Sequence, residues 1–146
     1  MNEWASKTLK ILEDRRESKR IQEQVFLEKR QIQKAHGLPL WRQVKQIAEN
    51  NCAAFNLEAG NDALVVETTK EAIFRVAANI DEHPGTLHAS FDEKTGKLSW
   101  HGGGKHGECS LVVTDDGEAR FQDSGHQITP TSIAEQMLSA VVLGPR

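Results

Sequence analysis

An α+β fold is predicted by three features of the 146-residue chain: a long N-terminal run without Gly or Pro, a middle of short period-two runs, and an amphipathic C-terminal run. In order, the sequence predicts a long N-terminal helix, a short second helix, a six- to seven-stranded antiparallel meander sheet, and a C-terminal helix packed on that sheet. Residues 2 to 35 lack Gly and Pro and are rich in Lys, Arg, Glu, Gln and Leu, all good helix formers, with Asn2 suited to cap the start. Every seventh residue from Trp4 reads Trp4, Ile11, Ser18, Val25, Ile32. The charged stretch from Glu13 to Arg20 interrupts this stripe, and its companion positions are mostly charged, so a regular two-stranded zipper is not expected.

His36 and Gly37 followed by Pro39 predict a stop, because Gly suits a left-handed cap and Pro lacks the N–H that continues a helix. A second helix is expected from Pro39 to Asn51, with Leu40, Trp41, Val44, Ile47 and Ala48 on one face. From Cys52 to Gln122 the period changes to two. The runs CAAFNLE, ALVVETT, AIFRVAA, TLHASF, LSWHG, CSLVVT and ARFQ read as strands, and the turns between them are too short for crossover helices, so neighbours should pair antiparallel. For TLHASF and LSWHG one register puts Phe91 opposite Leu98 and Ala89 opposite Trp100, with Ser90 opposite Ser99 and His88 opposite His101. Only such a register keeps apolar partners together on one face. DSGHQITP reads as a turn into a last helix capped by Thr129, or by a Ser132 and Glu135 capping box one half-turn later, bearing Ile133, Met137, Leu138, Val141 and Val142 and closed by Gly144 and Pro145.

Composition narrows the functional classes. With 38% apolar and 27% charged residues the chain is an ordinary domain with a core of its own, so its two cysteines have no required structural role. There is no apolar run long enough to span a bilayer and no secretory h-region in MNEWASKTLKILEDRRESKR, so no membrane partner is expected and a cytoplasmic location is. Charge is uneven: residues 1 to 50 carry eleven Lys or Arg against seven Asp or Glu, and the remainder carries seven against fourteen. The basic cluster Arg15, Arg16, Lys19 and Arg20 is interleaved with Glu13, Asp14 and Glu17, and neighbouring helical residues point in different directions. Nucleic acid is therefore not an expected partner.

Few residues have the makings of chemistry. His88 and His101 side by side, with His106 nearby in WHGGGKHGEC, form a candidate polar site on one sheet face. They lack the carboxylate and second shell that a catalytic metal requires, and the spacing of His101, His106 and Cys109 matches no compact ligand pattern, so no metal or other cofactor is expected. GGGK lies between two strands, not between a strand and a helix, and reads as a hairpin loop rather than a phosphate cradle. Cys109 with His106 and Ser124 with His126 lack an orienting third group. No catalytic residues are assigned, and a non-enzymatic role is expected.

The resulting expectation is a protein-interaction or adaptor module, oligomeric through its N-terminal helix and docking on itself as a homodimer or on a protein partner. Residues 1–36 would be the docking element and residues 37–146 a single α+β domain, with Trp4, Ile11, Val25, Phe26 and Ile32 in the interface. The alternative is a small-ligand-binding domain with a cavity between a curved sheet and its helices.

Overall fold

The computed structural model describes residues 2–144. A single helix α1 (Glu3–Ala59) is followed by strands β1 (Leu64–Lys70), β2 (Ile73–Ile80), β3 (His83–Asp92), β4 (Lys97–Gly102), β5 (Lys105–Val113), β6 (Ala119–Asp123) and β7 (His126–Ile128), then helix α2 (Pro130–Leu143). The strands lie in one sheet in chain order, each antiparallel to the next. One face of the sheet carries Phe74, Val76, Leu87, Phe91, Leu98 and Phe121, and both helices cover it side by side. The other face has no covering element among the described residues.

The expected short second helix is not separate. Helix α1 runs for 57 residues through Gly37 and Pro39 and stops only at Gly60, whose left-handed φ of 75° lets its N–H reach the Asn56 carbonyl at 2.9 Å. Gly37 serves close approach instead of capping: a Cβ there would lie 3.2 Å from Cζ of Phe91. Pro39 removes one helical hydrogen bond, but Ala35, whose carbonyl loses that donor, is exposed and open to water. The tertiary hold on the following turns then outweighs the break. Trp41 is fully buried, donates from Nε1 to the Glu71 carbonyl at 2.7 Å and stacks on Phe91 at 5.9 Å between ring centroids. The same carbonyl accepts from Nζ of Lys45 at 2.9 Å, and Arg42 pairs with the Glu71 carboxylate at 2.5 Å, so three side chains within five helical residues grip the β1–β2 turn.

CAAFNLE is helical, not a strand. Cys52, Phe55 and Asn56 continue the spacing set by Val44 and Ala48, and helix packing, not alternation, explains which of them is buried. Asn56 takes over a strand's role from the helix: its amide donates to the Leu64 carbonyl at 2.7 Å and accepts from the Leu64 N–H at 2.9 Å, satisfying the start of edge strand β1. The seventh strand is β7, in the segment expected to be a turn. Its hairpin with β6 closes through Ser124 and Gly125, both at positive φ.

The register expected for β3 and β4 is present, with Phe91 opposite Leu98, Ala89 opposite Trp100, Ser90 opposite Ser99 and His88 opposite His101. The following hairpin turns through Gly103 and Gly104, whose φ values of 58° and 74° are those of a tight type I′ turn. That turn abuts the end of α2, where a Cβ on Gly103 would run into the Ala140 carbonyl. Helix α2 begins with Thr129 accepting from the Ser132 N–H at 3.1 Å and buries Ile133, Ala134, Met137 and Leu138. Pro145, expected to close it, lies outside the described residues.

Candidate interaction surface

The residues from Glu3 to Glu28 form an arm that projects from the body. High helix propensity and the Asn2 cap, which accepts from the Ala5 N–H at 3.2 Å, account for its helicity. No residue of this arm is buried. At about 1.5 Å per residue it extends about 39 Å. Its polar contacts stay within the helix, as in the Arg20–Glu17 ion pair at 3.8 Å and the Gln24–Glu28 hydrogen bond at 3.3 Å. Polar contact with the body is made by Lys29, which pairs with Asp115 at 3.3 Å, and by Gln33, which donates to the Thr95 carbonyl at 3.0 Å.

The five residues assigned to an interface lie on this arm or at its root. Trp4 is 73% exposed, Phe26 62%, Ile11 52% and Val25 43%, whereas Ile32 is half-buried where the helix joins the body. Leu9, Leu12, Ile21 and Leu27 are exposed beside them. A solvated helix does not need so many large apolar side chains, and burying each would contribute on the order of 1.5–3 kcal/mol. Arg15, Arg16, Lys19 and Arg20 are all exposed, with Arg20 already paired to Glu17.

The candidate histidines also come together. Arg75, His88, His101 and His106 stand in register on β2, β3, β4 and β5 on the uncovered face, with Glu67 of β1 opposite Arg75. The His88 and His101 rings stack at 5.3 Å with an interplanar angle of 18°. Partial burial, together with the neighbouring His101 and Arg75, pushes the His88 pKa below its ordinary value. Among the described residues no group of three or more His, Cys, Asp or Glu side chains is placed to hold a metal ion. A row of imidazoles ending in a guanidinium favours anions over cations, and its carboxylate, Glu67, is two strands from the nearest histidine pair.

The imagined nucleophile pairs fare differently. Cys109 points into the core and His106 to the opposite face, so alternation along β5 separates them. Burial raises the Cys109 thiol to about 12 and the Cys52 thiol to about 11, and nearby acidic groups push in the same direction, which keeps both protonated and unreactive. Ser124 sits in the β6–β7 turn and donates to Asp123 at 3.2 Å, while His126 faces Asp123 across the hairpin.

Between the sheet and the helices the space is filled by side chains such as Trp41, Phe74, Leu87, Leu98, Ile133 and Met137. A groove of about 330 Å³ opens at the rim between α1 and α2, lined by Phe55, Leu64, Leu138, Val142 and Leu143. Leu143, in its lining, is 77% exposed. The sequence reading missed this groove because it placed Cys52 to Glu58 in a strand; the spacing of Val44, Ala48, Cys52 and Phe55 was the available signal. The chain matches no known family model, no curated protein and no solved structure at a significant level.

Proposed function

We propose that the protein is a non-enzymatic interaction or adaptor module that docks through its N-terminal helical arm, first of all on another copy of itself. One observation carries this reading: from Glu3 to Glu28 the helix is unburied yet bears Trp4, Leu9, Ile11, Ile21, Val25 and Phe26. A helix that makes its own body's core elsewhere and leaves such a stretch in water is suited to helix-to-helix docking, in which apolar residues at spacings of three, four and seven serve as anchors. The basic cluster on the arm is offset by its own acidic neighbours, which supports a protein partner over nucleic acid. No helix of the described residues is long and apolar enough to cross a membrane, and both cysteines are free, features that accord with a cytoplasmic setting.

Light scattering across micromolar concentrations tests the proposal. The full chain is expected to have the mass of a dimer or a larger closed assembly, and Ile11→Asp combined with Val25→Asp is expected to return it to monomer with an unchanged far-ultraviolet spectrum of the body. A monomeric wild-type chain throughout that range would remove self-docking.

A further inference from the structure

We infer that the arm pairs with the arm of a second copy in antiparallel orientation, about a two-fold axis between Arg16 and Ser18. This rests on the reading that the arm is a self-docking element, and it adds the partner's orientation and the residues that set it. Two lines of residues define the seam. One is Trp4, Ile11, Ser18, Val25 and Ile32; the other, three residues on, is Lys7, Asp14, Ile21 and Glu28. With about 100° between successive helical residues, this seam turns from roughly perpendicular to the side on which Trp41, Val44 and Ala48 meet the sheet, at Trp4 and Ile11, to roughly opposite it at Val25 and Ile32. The seam is therefore open from Trp4 to Val25, and Ile32, half-buried at the root, marks its inner end.

Charge decides the orientation. A parallel pair confronts each seam residue with its own copy, setting Lys7 on Lys7, Asp14 on Asp14 and Glu28 on Glu28 at three of the four companion positions. The flanking positions add Lys10 facing the partner's Arg15. Reversing one helix removes all three self-confrontations and leaves one on the flank, Glu17 facing its own copy at the axis, where each is already paired with its own Arg20. With the axis between Arg16 and Ser18, Lys7 stands within one turn of the partner's Glu28, and Ile11 packs against the partner's Ile21 and Val25. Trp4 then reaches the root of the partner's arm between Glu28 and Ile32. The apolar line also ends there, since its next members are Pro39 and Gln46. Its spacing is symmetric about Ser18, so reversal keeps every large apolar residue of that line inside the overlap, about 42 Å long.

The experiment uses full-length protein, whose two native thiols are buried and inert. Variants Ile11→Cys and Val25→Cys are oxidised separately and as an equal mixture after subunit exchange. The expected result is a cross-linked dimer in the mixture only, because in the antiparallel pair two copies of residue 11 stand about 15–21 Å apart along the axis. Cross-linking of each variant to itself would establish a parallel pair and overturn the orientation while leaving self-docking intact. A dimer without either cross-link would place the interface off the seam and overturn the inference. A monomeric mass would overturn both readings. As an independent check, Lys7→Glu is expected to weaken the dimer by about tenfold, and adding Glu28→Lys should restore it. In a parallel pair the double variant would still oppose like charges and would show no rescue.

Discussion

The two ends of helix α1 experience different solvents. Between Gly37 and Cys52 one narrow face meets the sheet, with Trp41, Val44 and Ala48 buried completely and the polar atoms of Trp41 and Lys45 satisfied on the Glu71 carbonyl. Between Glu3 and Glu28 the same helix is surrounded by water, although it carries as many large apolar residues. The proximal half, containing Gly37 and Pro39, has poor local helix propensity and holds its shape through tertiary contacts. The distal half has good propensity and no buried residue. Continuity of a helix therefore says nothing about whether its ends share one environment: here the half that is locally weak builds the core, and the half that is locally strong stays unburied.

The largest expected effect separates the halves directly. Trp41→Ala should destabilise the body by about 3–5 kcal/mol, from the cavity and the lost indole hydrogen bond, and it should accelerate labelling of Cys52 and Cys109 by a thiol reagent. Ile11→Asp should leave denaturant stability of the monomeric body within about 0.5 kcal/mol while reducing self-association. Chemical denaturation at low protein concentration, followed by labelling, compares the two. Equal destabilisation by both variants would mean that the arm packs on its own body in solution.

The joint between the halves can be sharpened next. Pro39 is exposed and helical, so Pro39→Ala should restore the missing hydrogen bond and stabilise the protein by about 1–2 kcal/mol, after allowance for the added freedom of the unfolded chain. A loss of stability in urea melts would show that Pro39 shapes a bend that the packing of Trp41 requires.

The smallest effect concerns the sheet face that neither half of α1 covers. Because the folded state depresses the His88 pKa, the unfolded chain takes up that proton more readily. The associated stability is present above the ordinary histidine value near 6.5 and is lost as the pH falls from there through the folded value. Urea midpoints at pH 7.5 and 5.5 should differ less in His88→Gln than in the parent chain. An unchanged pH dependence would assign it to other groups, and Ile11→Asp should leave it unaffected if the arm and the body are independent.

Strand pairing around His88 was readable from residues alone because period two is a strict constraint. Shifting β3 against β4 by one residue would put either Phe91 or Leu98 into water, and this sufficed to bring His88 and His101 together. The extension of that row to His106 was less accessible, since it depends on Gly103 and Gly104 closing a two-residue turn in place of a loose glycine loop. Cys52 to Glu58 was misread because seven residues can satisfy either period, and only the preceding helix decides between them.

Local chemistry by itself determined the α+β class, the helicity of the arm, the start of α2 to within a turn and the β3–β4 register, because each depends on propensity, capping or alternation within a short span. Tertiary structure alone decided that α1 continues through Gly37 and Pro39. The sequence carries two helix-breaking signals there, and they are overridden by contacts with Phe91 and Glu71, which lie more than 25 residues away along the chain. Tertiary structure also decided which apolar residues stay outside. Nothing in the composition of Trp4, Ile11 or Val25 distinguishes them from Trp41 or Val44; the difference is that the sheet ends where the arm begins.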